Sequence, residues 1–152
     1  MQEPKITRAQ AVFSLVCGVE VNVRAGAENL WRLLTDAEGF PRWNSTVRRI
    51  EGDIRDGNRL RLHVPGSERS FTPKVTIAAP GERMTWSGGF APLFKGVRTF
   101  ALQPRSDGST DFSMAERFSG LMLPLVKRSL PDFGIVFAQF ASDLKTEAER
   151  GR

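Results

Sequence analysis

The sequence predicts an α+β fold in which a curved antiparallel sheet of about seven strands wraps a long C-terminal helix. Three observations carry this reading. A two-residue apolar period marks a first strand, residues 46–120 hold only strand and turn signals, and an apolar stripe of helical period occupies the end of the chain. The resulting order is one strand, one helix, six strands and a final helix.

The first strand spans residues 12–23, where Val19, Val21 and Val23 alternate with Glu20 and Asn22 to leave one wet face. Gly26 opens a helix over residues 27–36 with Leu30, Leu33 and Leu34 inward. Pro41 and Asn44 stop the helical region beside Phe40 and Trp43, two aromatics that burial frequencies assign to the core. Strands follow over residues 47–54, 59–64, 71–78 and 83–89, punctuated by Asp56-Gly57, Pro65-Gly66 and Pro80-Gly81. His63 falls on the polar face of its strand, and Pro73 requires an edge position or a bulge. Pro131 opens the last helix, which continues to about Glu149. Phe133, Val136, Phe137, Phe140, Ala141 and Leu144 form its inner stripe, with Asp143, Lys145, Glu147, Glu149 and Arg150 opposite.

The 152 residues suit one domain, 1–152, and the 40% apolar and 26% charged fractions are those of a globular protein. No run approaches the roughly 18 apolar residues of a membrane span, so no integral membrane association is expected. The start MQEPKITRAQ lacks the apolar core of an export signal, so a cytoplasmic protein is expected. Cys17 is the single cysteine and His63 the single histidine, so neither an internal disulfide nor a metal is expected, and no other cofactor is called for. The net charge of +5 gathers partly at Arg48, Arg49, Arg55, Arg59, Arg61 and Arg69. Acidic residues interleave with these arginines and no aromatics accompany them, which reads as solvated surface rather than a nucleic-acid interface. A monomer or homodimer is expected.

The candidate site lies on the hairpin that runs from Gly96 to about Gly120. Arg98, Phe100 and Leu102 share one face of its first arm, and Phe112, Met114, Glu116 and Phe118 one face of its second. Ser106-Asp107-Gly108 reads as a three-residue loop with Gly108 in the left-handed conformation. If Arg105 pairs with Ser109, Leu102 meets Phe112, Phe100 meets Met114 and Arg98 meets Glu116, setting two opposite charges on an apolar face. Three roles are open to them. The pair braces the sheet, or Arg98 offers its fork to a polar group of a bound molecule while Glu116 holds it, or Glu116 acts as a general base, a role an adjacent arginine works against.

Four segments carry a family resemblance: Phe40-Pro41-Arg42-Trp43-Asn44, Phe71-Thr72-Pro73-Lys74-Val75, the G-x-x-x-F-x-L-x-P pattern of Gly96 to Pro104, and Glu116-Arg117-Phe118-Ser119-Gly120-Leu121. In these the chain resembles the START-like or SRPBCC superfamily, in its polyketide cyclase/dehydrase-like branch, over nearly its whole length. The resemblance implies the helix-grip fold and a cavity between sheet and final helix. Inward parity would line that cavity with some of Leu62, Val75, Trp86, Phe100, Met114, Phe118, Phe137 and Phe140. The position of Arg98 is often a histidine in similar proteins, and no other inward position supplies a histidine or a tyrosine, so imidazole chemistry has no carrier here.

The function expected on these grounds is binding of a small hydrophobic molecule as carrier or sensor, with Arg98 reading a polar group, and no catalytic residue is assigned. Two alternatives stay open. One is a cyclase- or dehydratase-like enzyme acting on a polyketide or aromatic substrate, and the other a protein-interaction module that docks through Phe90, Leu93 and Phe94. A cavity lined by Arg98 favours binding, a second ionisable group within reach favours catalysis, and a filled interior favours the interaction module.

Overall fold

The computed structural model describes residues 3–90, 92–130 and 132–150. Its strands are β1 (Lys5–Ala11), β2 (Ser14–Val23), β3 (Arg49–Glu51), β4 (Arg61–His63), β5 (Ser70–Phe71), β6 (Lys74–Ala79), β7 (Arg83–Phe90), β8 (Phe94–Pro104) and β9 (Thr110–Ser119). The helices are α1 (Ala27–Leu34), α2 (Phe40–Trp43), α3 (Leu123–Val126) and α4 (Phe133–Glu149), with a 3-10 turn at Lys127–Ser129. A six-stranded antiparallel sheet, ordered β1-β2-β9-β8-β7-β6, holds α4 against its inner face, and β3-β4-β5 form a second small sheet. This is the helix-grip arrangement the sequence predicts, with six strands in the main sheet instead of about seven.

Two differences have clear physical causes. β1 was not expected, because all seven of its residues are exposed and its sequence has no apolar alternation; it forms by pairing its backbone with the edge of β2, from Lys5 opposite Glu20 to Ala11 opposite Ser14. The strand expected over residues 71–78 is broken at Pro73, where the chain leaves the small sheet and joins the main one. Pro73 cannot donate to a ladder, but its carbonyl accepts from Leu60 N at 2.9 Å, and a single bridge between Arg59 and Lys74 ties the two sheets there.

The long hairpin has the expected register. Arg105 N donates to Ser109 O at 2.8 Å and Gly108 takes φ +88°, so Leu102 meets Phe112, Phe100 meets Met114 and Arg98 meets Glu116. On α4 the inner stripe departs from expectation twice. Val136 is exposed, whereas Lys145 is buried because its Nζ donates to Asn22 O at 2.8 Å and Glu149 Oε2 at 2.6 Å. Asp132 caps α4 by accepting from Gly134 N; Pro131 and the Phe90 side chain lie outside the described residues.

Lys145 and Glu149 anchor the C-terminal half of α4 to the end of β2, since Glu149 Oε2 also accepts from Arg24 N at 2.7 Å. Burial pushes the Glu149 carboxyl up, but the hydrogen bonds from Lys145 and the Arg24 amide outweigh it and hold the group below the ordinary carboxylate range. A carboxyl depressed on folding contributes stability above its unfolded value, near ~4.3 for glutamate, and loses it as pH falls through the folded value. Unfolding free energy followed against pH should therefore fall on the acid side, and less steeply in a Glu149→Gln variant. Parallel acid limbs would exclude this anchor.

The close approach of Gly120 to the carbonyl of Leu93 gives a second expectation. Gly120 has φ +132° and a Cβ there would collide with Leu93 backbone, while Gly108 faces open space. Gly108→Ala should cost about 1–2 kcal/mol of left-handed strain, and Gly120→Ala on the order of 3 kcal/mol or more, as strain and collision combine. Urea unfolding midpoints measure both, and equal losses would mean that the Leu93 contact is not kept in solution.

Candidate functional site

Antiparallel partners in register share a face, so the inner face of the sheet is laid out in rows. One row runs Val75, Trp86, Arg98, Glu116, Cys17 across β6, β7, β8, β9 and β2. The next row inward is Met84, Phe100, Met114, Val19, all buried. The next row toward the loops is Gly88, Gly96, Phe118, Leu15. The charged pair therefore sits where a wholly apolar floor gives way to one with two glycines in it.

Arg98 Nε donates to Glu116 Oε1 at 2.9 Å, and the guanidinium carbon lies 5.0 Å from the centre of the Phe137 ring. Their side chains are 17% and 15% exposed, so the pair points inward and is mostly, not fully, buried. The bond uses the side of the fork: among the described residues, the terminal nitrogens of Arg98 donate no other hydrogen bond. Gly96 makes room for the carboxylate, since a Cβ there would lie 3.1 Å from Glu116 Oε2. A Cβ on Gly88 would meet nothing within 4 Å, so the floor beside Arg98 opens into free space.

Deeper in, that space closes. Phe100 and Phe137 are 0% exposed, Phe140 and Met114 1%, and Trp86 3%. The rings of Phe40, Trp86, Phe100 and Phe140 touch at centroid distances of 4.9–6.2 Å. Side chains thus fill the level at which a cavity was expected, and Leu62 and Val75 are buried as well. Towards the loops an aromatic wall has the buried Phe118 at its centre, with the half-buried Phe94 stacked on it at 6.0 Å and the half-buried Phe133 tilted against it at 4.9 Å. Two buried indole donors, Trp43 Nε1 and Trp86 Nε1, have no acceptor among the described residues.

Acid–base chemistry has few carriers here. Burial pushes the Cys17 thiol up, with Arg8 opposing and Asp132 and Glu116 adding to it, so at neutral pH the group is not a thiolate nucleophile. His63 lies in the small sheet, its Nε2 2.8 Å from Glu51 Oε2, within an exposed cluster that includes Arg49 and Arg61. Among the described residues no group of three or more His, Cys, Asp or Glu could hold a metal ion. A cleft of about 900 Å³ does exist, but at the other end of α4, between Arg24, Arg32, Arg42, Asp36, Asp107 and Glu147. Its polar walls do not suit an apolar molecule, and it does not reach Arg98.

Cys17 and Gly88 were not expected in the site, Phe94 was expected only as part of a docking loop, and Phe133 only as one of three phenylalanines able to roof a cavity. Parity alone could have placed Cys17, two residues before Val19 on the same face, and Gly88, two after Trp86. Which half of the face stays open depends on how α4 lies over it.

A family model described as polyketide cyclase / dehydrase and lipid transport matches residues 17–149, from the Cys17 end of the charged row to the last residue of α4. The chain belongs to this family. No curated protein matches it in sequence. Among solved structures it is similar to a START superfamily protein from Mycobacterium smegmatis, with TM-score 0.67 and 20% identity over 90% of this chain and 99% of that one. Truncated norcoclaurine synthase from Thalictrum flavum is similar with TM-score 0.66 and 17% identity, over 95% and 99% of the two chains. CalU16 from Micromonospora echinospora is similar with TM-score 0.67 and 16% identity, over 97% and 85%. These likenesses establish the START-like, helix-grip fold of this family member. β1 lies outside the family match, at the edge of the main sheet.

In this START-like chain a broken Arg98–Glu116 pair leaves a mostly buried charge without its partner. Glu116→Ala should cost about 2 kcal/mol, below the ~3–5 kcal/mol of a fully buried pair because the site is partly wet. Arg98→Met with Glu116→Leu should cost less than the single change. Urea unfolding of the three proteins measures this, and equal losses in the single and double variants would show that the pairing does not matter to stability.

Proposed function

We propose that the protein binds a small, largely apolar molecule at the half-open end of the space between sheet and α4, with Arg98 reading a polar group on it. The observation that carries this reading is the side-on geometry of Arg98. Glu116 takes Nε, Phe137 backs the guanidinium, and among the described residues the terminal nitrogens find no acceptor beside the open floor of Gly88. A guanidinium held in this way is pre-oriented, so a carboxylate, phenolate or carbonyl gains a directed hydrogen bond at little further ordering cost. The aromatic wall of Phe94, Phe118 and Phe133 suits the apolar part of such a molecule, and a longer ligand would have to part the packed rings of Phe137 and Phe140. Trp86, the cross-strand neighbour of Arg98, adds an indole N–H with no acceptor among the described residues.

Binding is favoured over cyclase- or dehydratase-like catalysis because the row's single carboxylate is already committed to Arg98, and the Cys17 thiol opposite it is pushed up by burial. The family description and the START superfamily neighbour are in keeping with a carrier or sensor role.

Native mass spectrometry of protein from its own host tests for a retained molecule. In a defined assay, an anionic naphthalene sulfonate fluorophore should bind saturably. Arg98→Met should weaken it about tenfold, the usual scale of one charge-assisted hydrogen bond, and Gly88→Val should block it with the thermal midpoint little changed. Equal binding by the parent and both variants would rule out this site.

A further inference from the structure

The end of the molecule at which the grip opens carries a dense set of exposed apolar side chains. Phe13 at the β1–β2 turn is 51% exposed, Leu93 in the β7–β8 loop 50%, Leu121 58% and Leu125 80%. Met122 and, on the first turn of α4, Ile135 are exposed too. Backbone hydrogen bonds bind three of these segments into one surface. Gly120 N donates to Phe13 O at 3.1 Å, Leu121 N to Pro92 O at 2.9 Å and Met122 N to Leu93 O at 2.9 Å. A surface of this kind is not an accident of single exposed leucines, since monomeric proteins rarely leave so many together.

The charges around it that stand outside the ion pairs among the described residues have one sign. Lys95 and Arg117 stand on the outer face of β8 and β9, and Lys127 and Arg128 follow α3 directly. None of the four takes part in the ion pairs among the described residues, whereas the two acids at this end, Glu116 and Asp132, are committed to Arg98 and Arg8. Unneutralised cations beside aliphatic side chains match a bilayer with anionic headgroups. Aliphatic chains enter the acyl boundary, and lysine and arginine meet the phosphates. The cores of protein–protein interfaces, by contrast, favour aromatic residues and are poor in lysine. No helix among the described residues is long and apolar enough to cross a membrane, so the contact would lie on the surface.

We propose that this end, built from the β1–β2 turn, the β7–β8 loop and the segment from Leu121 to Arg128, is a docking surface for anionic lipid bilayers. The inference rests on surface composition alone and stands whether or not Arg98 reads a ligand.

Flotation of the full chain with phosphatidylcholine vesicles, with and without phosphatidylglycerol, tests it at low and high salt. Binding is expected on the anionic vesicles only and should weaken as salt rises. Lys127→Gln with Arg128→Gln should weaken it roughly 25-fold, about fivefold per cation lost. Leu125→Asp should reduce it at least about tenfold, since it sets a charge against the acyl boundary. If Leu125→Asp fails to melt as the parent does, Leu93→Ser serves in its place with the same expectation. Failure to float with anionic vesicles overturns the proposal, as does equal binding to neutral ones or indifference to both kinds of variant. A dimer that Leu125→Asp dissociates, without vesicle binding, would assign the surface to a second copy of the chain and overturn it as well. Fluorophore binding at Arg98, measured on the same proteins, keeps failure of docking distinct from failure of ligand binding.

Discussion

The hydrogen bond from Arg105 N to Ser109 O, closed by the left-handed turn at Gly108, is the constraint on which the rest of the inner face depends. It sets the register of the two long strands β8 and β9. β2 pairs to β9, β7 to β8 and β6 in turn to β7, so the rows Val75–Trp86–Arg98–Glu116–Cys17 and Met84–Phe100–Met114–Val19 build outward from it. A slip of one residue would turn Phe100, Leu102, Phe112 and Met114 outward, and burial of those side chains against α4 is far too large a term to give up.

Given that register, the position of the charged pair reflects a balance between desolvation and pairing. One row deeper, among Met84, Phe100 and Met114, two charges would lose hydration with nothing but one another to replace it. At their actual level the pair keeps a partial view of solvent, a ring face behind the guanidinium and glycine backbone above the carboxylate. The same place has spare space beside Gly88, whereas the room that Gly96 leaves is taken by the Glu116 carboxylate and the Phe118 ring. A site that can exchange its contents with solvent and still hold a fixed arginine is more plausible there than in the packed interior.

α4 divides the molecule into two ends of different character. Its C-terminal half is tied by Lys145 and Glu149 to Asn22 of β2 and to Arg24 just after it, beside a polar cleft. Its N-terminal half lies over the charged row, leaves Ile135 and Val136 exposed and borders the apolar, cation-flanked loops. Binding in the grip and contact at its mouth would thus use adjoining surfaces.

Much of this was legible in the chain itself. Alternation in the strands, turn residues at the loops and the helical stripe of α4 determined the fold class, and the loop Ser106-Asp107-Gly108 determined which residues of the hairpin face one another, because turn geometry and a two-residue period act locally. Four motifs spaced along the chain carried a resemblance to the polyketide cyclase/dehydrase branch, the family whose model it matches. Tertiary structure alone decided the features that local pattern does not encode. β1 exists only because the edge of β2 offers backbone partners to an otherwise featureless segment. Lys145 is buried only because Asn22 and Glu149 come within reach of its ammonium. The expected cavity is closed around Phe100 and Phe140 yet open beside Gly88, since free space depends on how the aromatic rings of α2, α4 and the sheet meet, and parity says only that they face the same way.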